Sequence, residues 1–314
     1  MFPLKARTIV VGIAGASLVV MLSFLSTAAA GLSLVDQAGR TITVDKPFSR
    51  IISLYGAHTE NLRFLGLDRE IIGVARSDSH DKRFSSKPWF SYHDDPEKFL
   101  GARPDLVLVR PMIELGYPGL IKRLERSGIT VASLQPATVE EMYDYWIALG
   151  TLSGRETRAA KMVADFQRQV AFYRSLTQGV TSKKRVYFEA IHSRMKTFTP
   201  GSMALFALEA AGGINVAGDA SSSRGTNIGN YGKERILSHG KEIDVFLAQQ
   251  GVMNQVSLGM IKDEPGFGII KAVRNNQVYL IDEMIVSRPG FRLLQGIRTI
   301  GEILYPELFG NLAE

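Results

Sequence analysis

Along the chain, short β-branched runs alternate with stretches of helical periodicity, an order that predicts parallel sheets covered by helices. Leu32–Asp36 and Thr41–Val44 flank Gln37-Ala38-Gly39-Arg40, which reads as a hairpin. Arg50–Tyr55, Ile71–Ala75, Leu106–Arg110 and Thr130–Leu134 read as four strands, with helices over His58–Leu65, Asp95–Ala102 and Pro118–Arg126 between them. These make one α/β lobe that ends near Gly154. From Arg155 to Gln178 neither Gly nor Pro intervenes, and Met162, Phe166, Val170 and Tyr173 share one helical face. At 1.5 Å per residue such a helix is roughly 35 Å long, enough to carry the chain from one lobe to another. Beyond it, Arg185–Ile191, Val245–Gln250 and Val278–Asp282 read as strands, and Met203–Ala211, Lys233–Ser238 and Phe291–Leu304 as helices. Gly212–Gly232, rich in Gly, Ser and Asn, reads as irregular. The expected organisation is α/β throughout: an N-terminal lobe over 31–154, a single linker helix over 155–178 and a C-terminal lobe over 179–314.

The first thirty residues stand outside this pattern. Lys5 and Arg7 precede an uncharged apolar run from Ile9 to Leu25, and Ala28-Ala29-Ala30 supplies small residues at a cleavable boundary. The segment reads as a signal peptide cut after Ala30, which would place the mature chain in the periplasm. Because the run exceeds the usual ~7–15 residues, a retained membrane anchor is the competing reading. The sequence holds no cysteine, so disulfides, thiolate metal ligands, thiol nucleophiles and a lipidated cysteine are all excluded. Losing Lys5 and Arg7 lowers the formal charge from +6 to +4, and the longest basic run is Lys183-Lys184-Arg185. Nucleic acid is therefore not an expected partner.

No Gly-x-Ser-x-Gly elbow, His-Glu-x-x-His pair or dinucleotide glycine fingerprint is present. Gly232-Lys233 comes nearest to a phosphate loop, but Glu234 stands where Ser or Thr is needed. The chain is not expected to be an enzyme, and no cofactor is expected.

Several segments together resemble a known family. They are Asp36-Gln-Ala-Gly-Arg40, Arg50-Ile-Ile-Ser-Leu-Tyr55, Glu60, Leu65-Gly-Leu67, Ile72-Gly-Val74, Pro96-Glu-Lys-Phe-Leu-Gly-Ala-Arg-Pro-Asp-Leu-Val107 and Ala210-Ala-Gly-Gly-Ile-Asn215. In this order they resemble the class III periplasmic binding proteins, the iron-siderophore, haem and cobalamin receptors of ABC importers. The resemblance implies two Rossmann-like lobes with a ligand cleft between them and a long helix as hinge. It implies capture of an iron(III)-siderophore-type chelate by a monomer and its delivery to a permease dimer. A cobalamin or haem receptor is the alternative within the family; a periplasmic metallochaperone or enzyme is the alternative outside it. It also implies one exposed glutamate per lobe for docking to the permease, here Glu97 and Glu234. Both lie in the first turn of a predicted helix, where the helix dipole alone would favour a carboxylate. A helical hinge resists bending, so lobe closure on binding is expected to be small.

In open α/β sheets ligands lie beyond the carboxyl ends of the strands. That rule selects Tyr55, Gly56 and His58, then Ser77 to His80, then Arg110 and Met112 in the first lobe. In the second it selects His192, Ser193, Arg194 and Lys196, then Gln249 to Asn254, then Arg288. Arg110, Arg194 and Arg288 read as a cationic clamp, since guanidinium forks match the carboxylate or catecholate oxygens of a ferric chelate; each could instead be locally paired. Trp89, Phe90 and Tyr92 could stack on a planar ligand or pack at the lobe edge. His58 and His192 could ligate metal or simply be hydrogen-bonded, and no metal site is expected. Met112, Met195, Met253 and Met260 suit an apolar ligand surface or fill the core. The expected contact set is Tyr55, Trp89, Tyr92, Arg110, His192, Arg194, Asn254 and Arg288.

Overall fold

Two short β-branched strands open the fold. β1 (Leu32–Val35) and β2 (Thr41–Val44) pair antiparallel, as the hairpin pattern predicts. Asp36 fixes the turn: its Oδ1 accepts from the amides of Ala38 and Arg40, and its Oδ2 accepts from the amide of Ser133, which docks the hairpin on the first sheet. The computed structural model describes residues 32–78, 84–222 and 226–312. The expected export segment and the candidates Ser79 and His80 lie outside them.

The first sheet contains β3 (Ile51–Ser53), β4 (Ile71–Ala75), β5 (Trp89–Phe90), β6 (Leu106–Val109) and β7 (Thr130–Ser133). They lie in the order β5-β4-β3-β6-β7, all parallel. Strands such as Leu106–Val109 are buried throughout, the continuous apolar pattern of a sheet covered on both faces. α1 (Gly56–Phe64), α2 (Pro96–Ala102), α3 (Pro111–Gly116), α4 (Pro118–Arg126) and α5 (Val139–Ser153) complete this half.

α5 ends at Gly154, whose φ of 65° is a left-handed C-cap that a glycine adopts without strain. α6 (Glu156–Leu176) follows after one residue and runs for 21 residues, roughly 32 Å at 1.5 Å per residue. Its buried residues are Ala159, Met162, Phe166, Val170 and Tyr173, the face the sequence spacing predicts.

β8 (Arg185–Ile191), β9 (Lys196–Phe198), β10 (Ile214–Asn215), β11 (Ile228–Asn230), β12 (Val245–Gln250) and β13 (Val278–Asp282) form the second sheet. Its order is β11-β9-β8-β12-β13, with β10 also on β8. An all-parallel sheet was the expectation, and here it needs correction: β9 runs antiparallel to β8 and β11 antiparallel to β9. The link from β8 to β9 is one short turn closing at Met195 (φ 47°), whereas a parallel pair needs a crossover of a dozen or more residues. Gly212–Gly232 is likewise not wholly irregular, because it carries β10 and β11; strands of two and three residues are too short for a periodic signal. α7 (Met203–Ala210), α8 (Lys233–Ser238), α9 (Leu258–Lys262), α10 (Lys271–Arg274), α11 (Glu283–Val286), α12 (Leu293–Leu304) and α13 (Pro306–Phe309) complete the described chain.

One hydrophobic core joins the two halves, since a single cluster contains Ile51 and Leu108 of the first sheet together with Val186 and Leu247 of the second. At its centre Trp146 of α5 meets Phe166 of α6 edge-on at 5.3 Å, and Phe291 touches Trp146, Phe166 and Phe64.

Candidate functional site

The carboxyl end of β3 delivers Tyr55, and that of β6 delivers Arg110. The Arg110 guanidinium lies 5.0 Å from the centre of the Tyr55 ring, a cation–π contact. Arg110 is half-buried and has no ion pair among the described residues. Burial pushes the Tyr55 hydroxyl above its usual pKa, with the charges of Arg110 and Arg288 opposing. His58, by contrast, is structural. It is fully buried, with Nδ1 2.7 Å from the Tyr145 hydroxyl and Nε2 3.0 Å from the Val109 carbonyl. Burial lowers its pKa to about 4, so at neutral pH it is an uncharged brace behind β6.

The aromatic trio divides. Phe90 is core, packed on Phe99 at 5.0 Å. Trp89 is 42% exposed, with Lys98 Nζ 4.1 Å and the Arg76 guanidinium 5.2 Å from its ring. Tyr92 packs on Tyr117 and His93. Trp89 and Tyr92 thus stand at the β5 edge of the sheet, and among the described residues no hydrogen bond, ring contact or cation–π contact joins them to the Tyr55–Arg110 pair.

In the second half His192 is built into the end of β8. Its Nδ1 lies 3.0 Å from a carboxylate oxygen of the fully buried Glu189, and its Nε2 lies 3.8 Å from Glu264, which pairs with Lys233. The bond to Glu189 raises the His192 pKa, while burial raises that of Glu189, so the pair holds a proton more readily than either group alone in water. Asn254 accepts from the His192 amide and donates to the Gln249 carbonyl, tying the β8 and β12 ends together. Arg194 is exposed and without an ion pair among the described residues. The loop beyond β12 exposes Val252 by 83% and Met253 by 52%; Met260 on α9 is 49% exposed, and Met112 beyond β6 44%. No group of three or more His, Asp or Glu side chains arranged to hold a metal ion occurs among the described residues.

The two carboxyl edges face one another, as contacts between them show. Arg288, beyond β13, lies 3.3 Å from Glu60 and 3.7 Å from Asp78 of the first half; Arg292 Nη1 donates to Glu60 at 3.0 Å. Asn61 donates to the Pro289 carbonyl at 2.9 Å. A second crossing lies at the other flank, where Asn227 donates to the Ala137 carbonyl beyond β7. In strand order Tyr55 and Arg110 fall between these crossings, so the geometry is a cleft walled by two sheet edges.

That arrangement has relatives. The family described as periplasmic binding protein matches residues 51–284. The chain belongs to this family. An ABC transporter substrate-binding lipoprotein of Bacillus subtilis, YvrC, is 24% identical over 282 residues, covering 88% of this chain and 87% of that one. A cobalamin-binding protein of Halobacterium salinarum is 22% identical over 266 residues, covering 83% and 70%. The crystal structure of a possible iron-binding, periplasmic solute-binding protein from Staphylococcus epidermidis has a TM-score of 0.70 and 26% identity, covering 83% of this chain and all of that one. Like its relatives, this periplasmic binding protein is the substrate-binding component of an ABC importer, a two-lobed receptor that takes a small ligand to a membrane permease. The family is one of solute receptors, not of enzymes.

Of the predicted residues, the structure brings Tyr55, Arg110 and Arg288 to one region and His192 with Asn254 to another. Glu60 escaped selection as a site residue, whereas Asp78 falls within the selected stretch Ser77 to His80. Glu60 enters the sequence reading only among the residues that carry the family resemblance, in the polar run His58-Thr59-Glu60-Asn61 that α1 buries entirely.

Proposed function

We propose that this receptor works in the periplasm after export and captures an anionic iron(III) chelate of the siderophore type between its lobes. Arg110 is the observation that carries the reading. A half-buried guanidinium stacked on Tyr55, with no carboxylate of its own among the described residues, at the mouth of a cleft, is a site for an oxygen anion. Arg194, without an ion pair among the described residues, offers a second cation. Arg288 lends its positive field although its own donors already face Glu60 and Asp78. Trp89 and Tyr92 are the outer aromatic contacts; His192 and Asn254 shape the opposing wall without touching metal.

A corrinoid or haem is the second reading. The exposed apolar side chains Met112, Val252, Met253 and Met260 favour it, as does the cobalamin-binding relative. A thermal-shift screen of ferric hydroxamates, ferric catecholates, haem and cobalamin separates the two, because a ligand that binds only the folded state raises Tm. Arg110→Ala is expected to weaken binding of a ferric chelate by ~1.5–3 kcal/mol, the worth of a charge-assisted contact. Unchanged affinity in that variant refutes the anion site; a Tm response to cobalamin or haem alone selects the second reading.

Docking to the permease is assigned to Glu97 and Glu234. Each is exposed in the first turn of its helix, Glu97 paired with Arg123 at 2.7 Å and Glu234 without an ion pair among the described residues.

A further inference from the structure

At the β3–β4 flank the two lobes are joined by charge. Glu60 is 4% exposed and Asp78 5%, and both belong to the first lobe; the Arg288 side chain is 18% exposed and the Arg292 side chain 21%, and both belong to the second. One oxygen of Glu60, Oε1, accepts from both guanidiniums, at 3.3 Å from Arg288 and 3.0 Å from Arg292. Thr59 donates to Asp78 Oδ2, and the neighbouring Asn61 donates to the Pro289 carbonyl, so three contiguous residues of α1 take part.

We infer that Glu60 is a positioning residue: its buried carboxylate latches Arg288 and Arg292 across the cleft, fixing how far apart the two carboxyl edges stand and where the Arg288 guanidinium sits between them. The physical reason lies in burial. Away from water the attraction between opposite charges is only weakly screened, and a guanidinium deprived of its carboxylate there is strongly unfavourable. Arg292 has no other ion pair among the described residues, and Arg288 would keep only the longer contact to Asp78. Two like charges would then face each other with one partner between them, and separation of the lobes would relieve the repulsion by letting water in.

Gly56 is fitted to the same latch. A Cβ built there would lie 2.3 Å from Arg288 Nη1 and 2.6 Å from Asp78 Oδ1, so any side chain at the start of α1 displaces the arginine from its seat. The backbone of Gly56 needs no left-handed conformation, which leaves this approach of Arg288 as the reason for glycine.

The test reads the distance between lobes in ligand-free protein. The chain has no cysteine, so Lys122→Cys on α4 and Lys241→Cys beyond α8, both exposed, accept a spin-label pair at unique sites. Glu60→Gln and, separately, Gly56→Ala are expected to shift the distance distribution to longer values and broaden it, whereas the surface variant Glu307→Gln on α13 leaves it unchanged. Gly56→Ala keeps every charge, so its shift reports loss of the latch geometry and not a missing carboxylate. Distributions in both variants that superimpose on the parent protein, with far-ultraviolet circular dichroism showing each folded, overturn the latch. If Glu60→Gln does not fold, Gly56→Ala and Arg292→Met decide the matter. No ligand enters the experiment, so its failure leaves the Arg110 anion site standing, and failure of that site leaves the latch.

Discussion

His58 shows how a single residue ties the site to the core. Its ring braces Val109, the residue before Arg110, and its pKa of about 4 lies below the ordinary 6.5 because burial disfavours the charged form. Between those two values the unfolded chain binds the proton and the folded chain does not. Stability is therefore fully present above pH 6.5 and falls as pH drops toward 4, by about 3 kcal/mol in all. His192 acts in the opposite sense, since its raised pKa stabilises the fold at low pH and that contribution is lost as pH rises through it. Comparison of the parent with His58→Gln isolates the first effect. Urea unfolding at pH 7.5 and 4.5 should show a smaller loss of stability on acidification in the variant, and equal losses would remove His58 from the account. Neither imidazole's surroundings were legible in the sequence: His58 is a polar residue within a helix pattern and His192 one just past a strand, and neither position shows that the fold closes over it.

Among the elements, the junction of α5 and α6 is closely packed. Gly150 lies in α5 where a Cβ would stand 2.6 Å from the Cβ of Ala159 and 3.2 Å from the Arg155 carbonyl oxygen. Helix propensity alone would make Gly150→Ala stabilising by ~0.5–1 kcal/mol. Overpacking against a backbone atom and a rigid Cβ costs more, ~1–3 kcal/mol, so a lower Tm is expected and a higher one would show the helices free to move apart. The buried face of α6 was legible: Met162, Phe166, Val170 and Tyr173 are buried as their spacing implies. β9, β10 and β11 were not, because their pairing depends on partners distant in the chain and each is too short to carry a period.

For the whole molecule, function requires two lobes to hold a ligand and meet a permease in one orientation. Among the described residues a single hydrophobic cluster spans both sheets, so the two lobes share one core. Charge pairs at the rim of an interface speed and orient association more than they add affinity. The double variant Glu97→Ala with Glu234→Ala should keep parental ligand affinity and folding stability within about 0.5 kcal/mol, as exposed substitutions do, yet lose stimulation of transport in reconstituted vesicles. Full transport by the double variant would leave these two carboxylates as helix-end residues only.

What is local could be read from the residue pattern: the alternation of strands and helices, the long helix α6 and its buried face, and the strand ends at which a ligand could sit. Hydrophobic periodicity is a property of neighbours along the chain, and it survives whatever the rest of the molecule does. Which candidate cation stays open is a matter of the fold. Arg110 faces Tyr55 without a carboxylate among the described residues, while Arg288 is held by Glu60, a residue 228 positions away. An ion pair over that separation exists only because the fold brings two sheet edges together and excludes water between them, and no local pattern encodes that meeting.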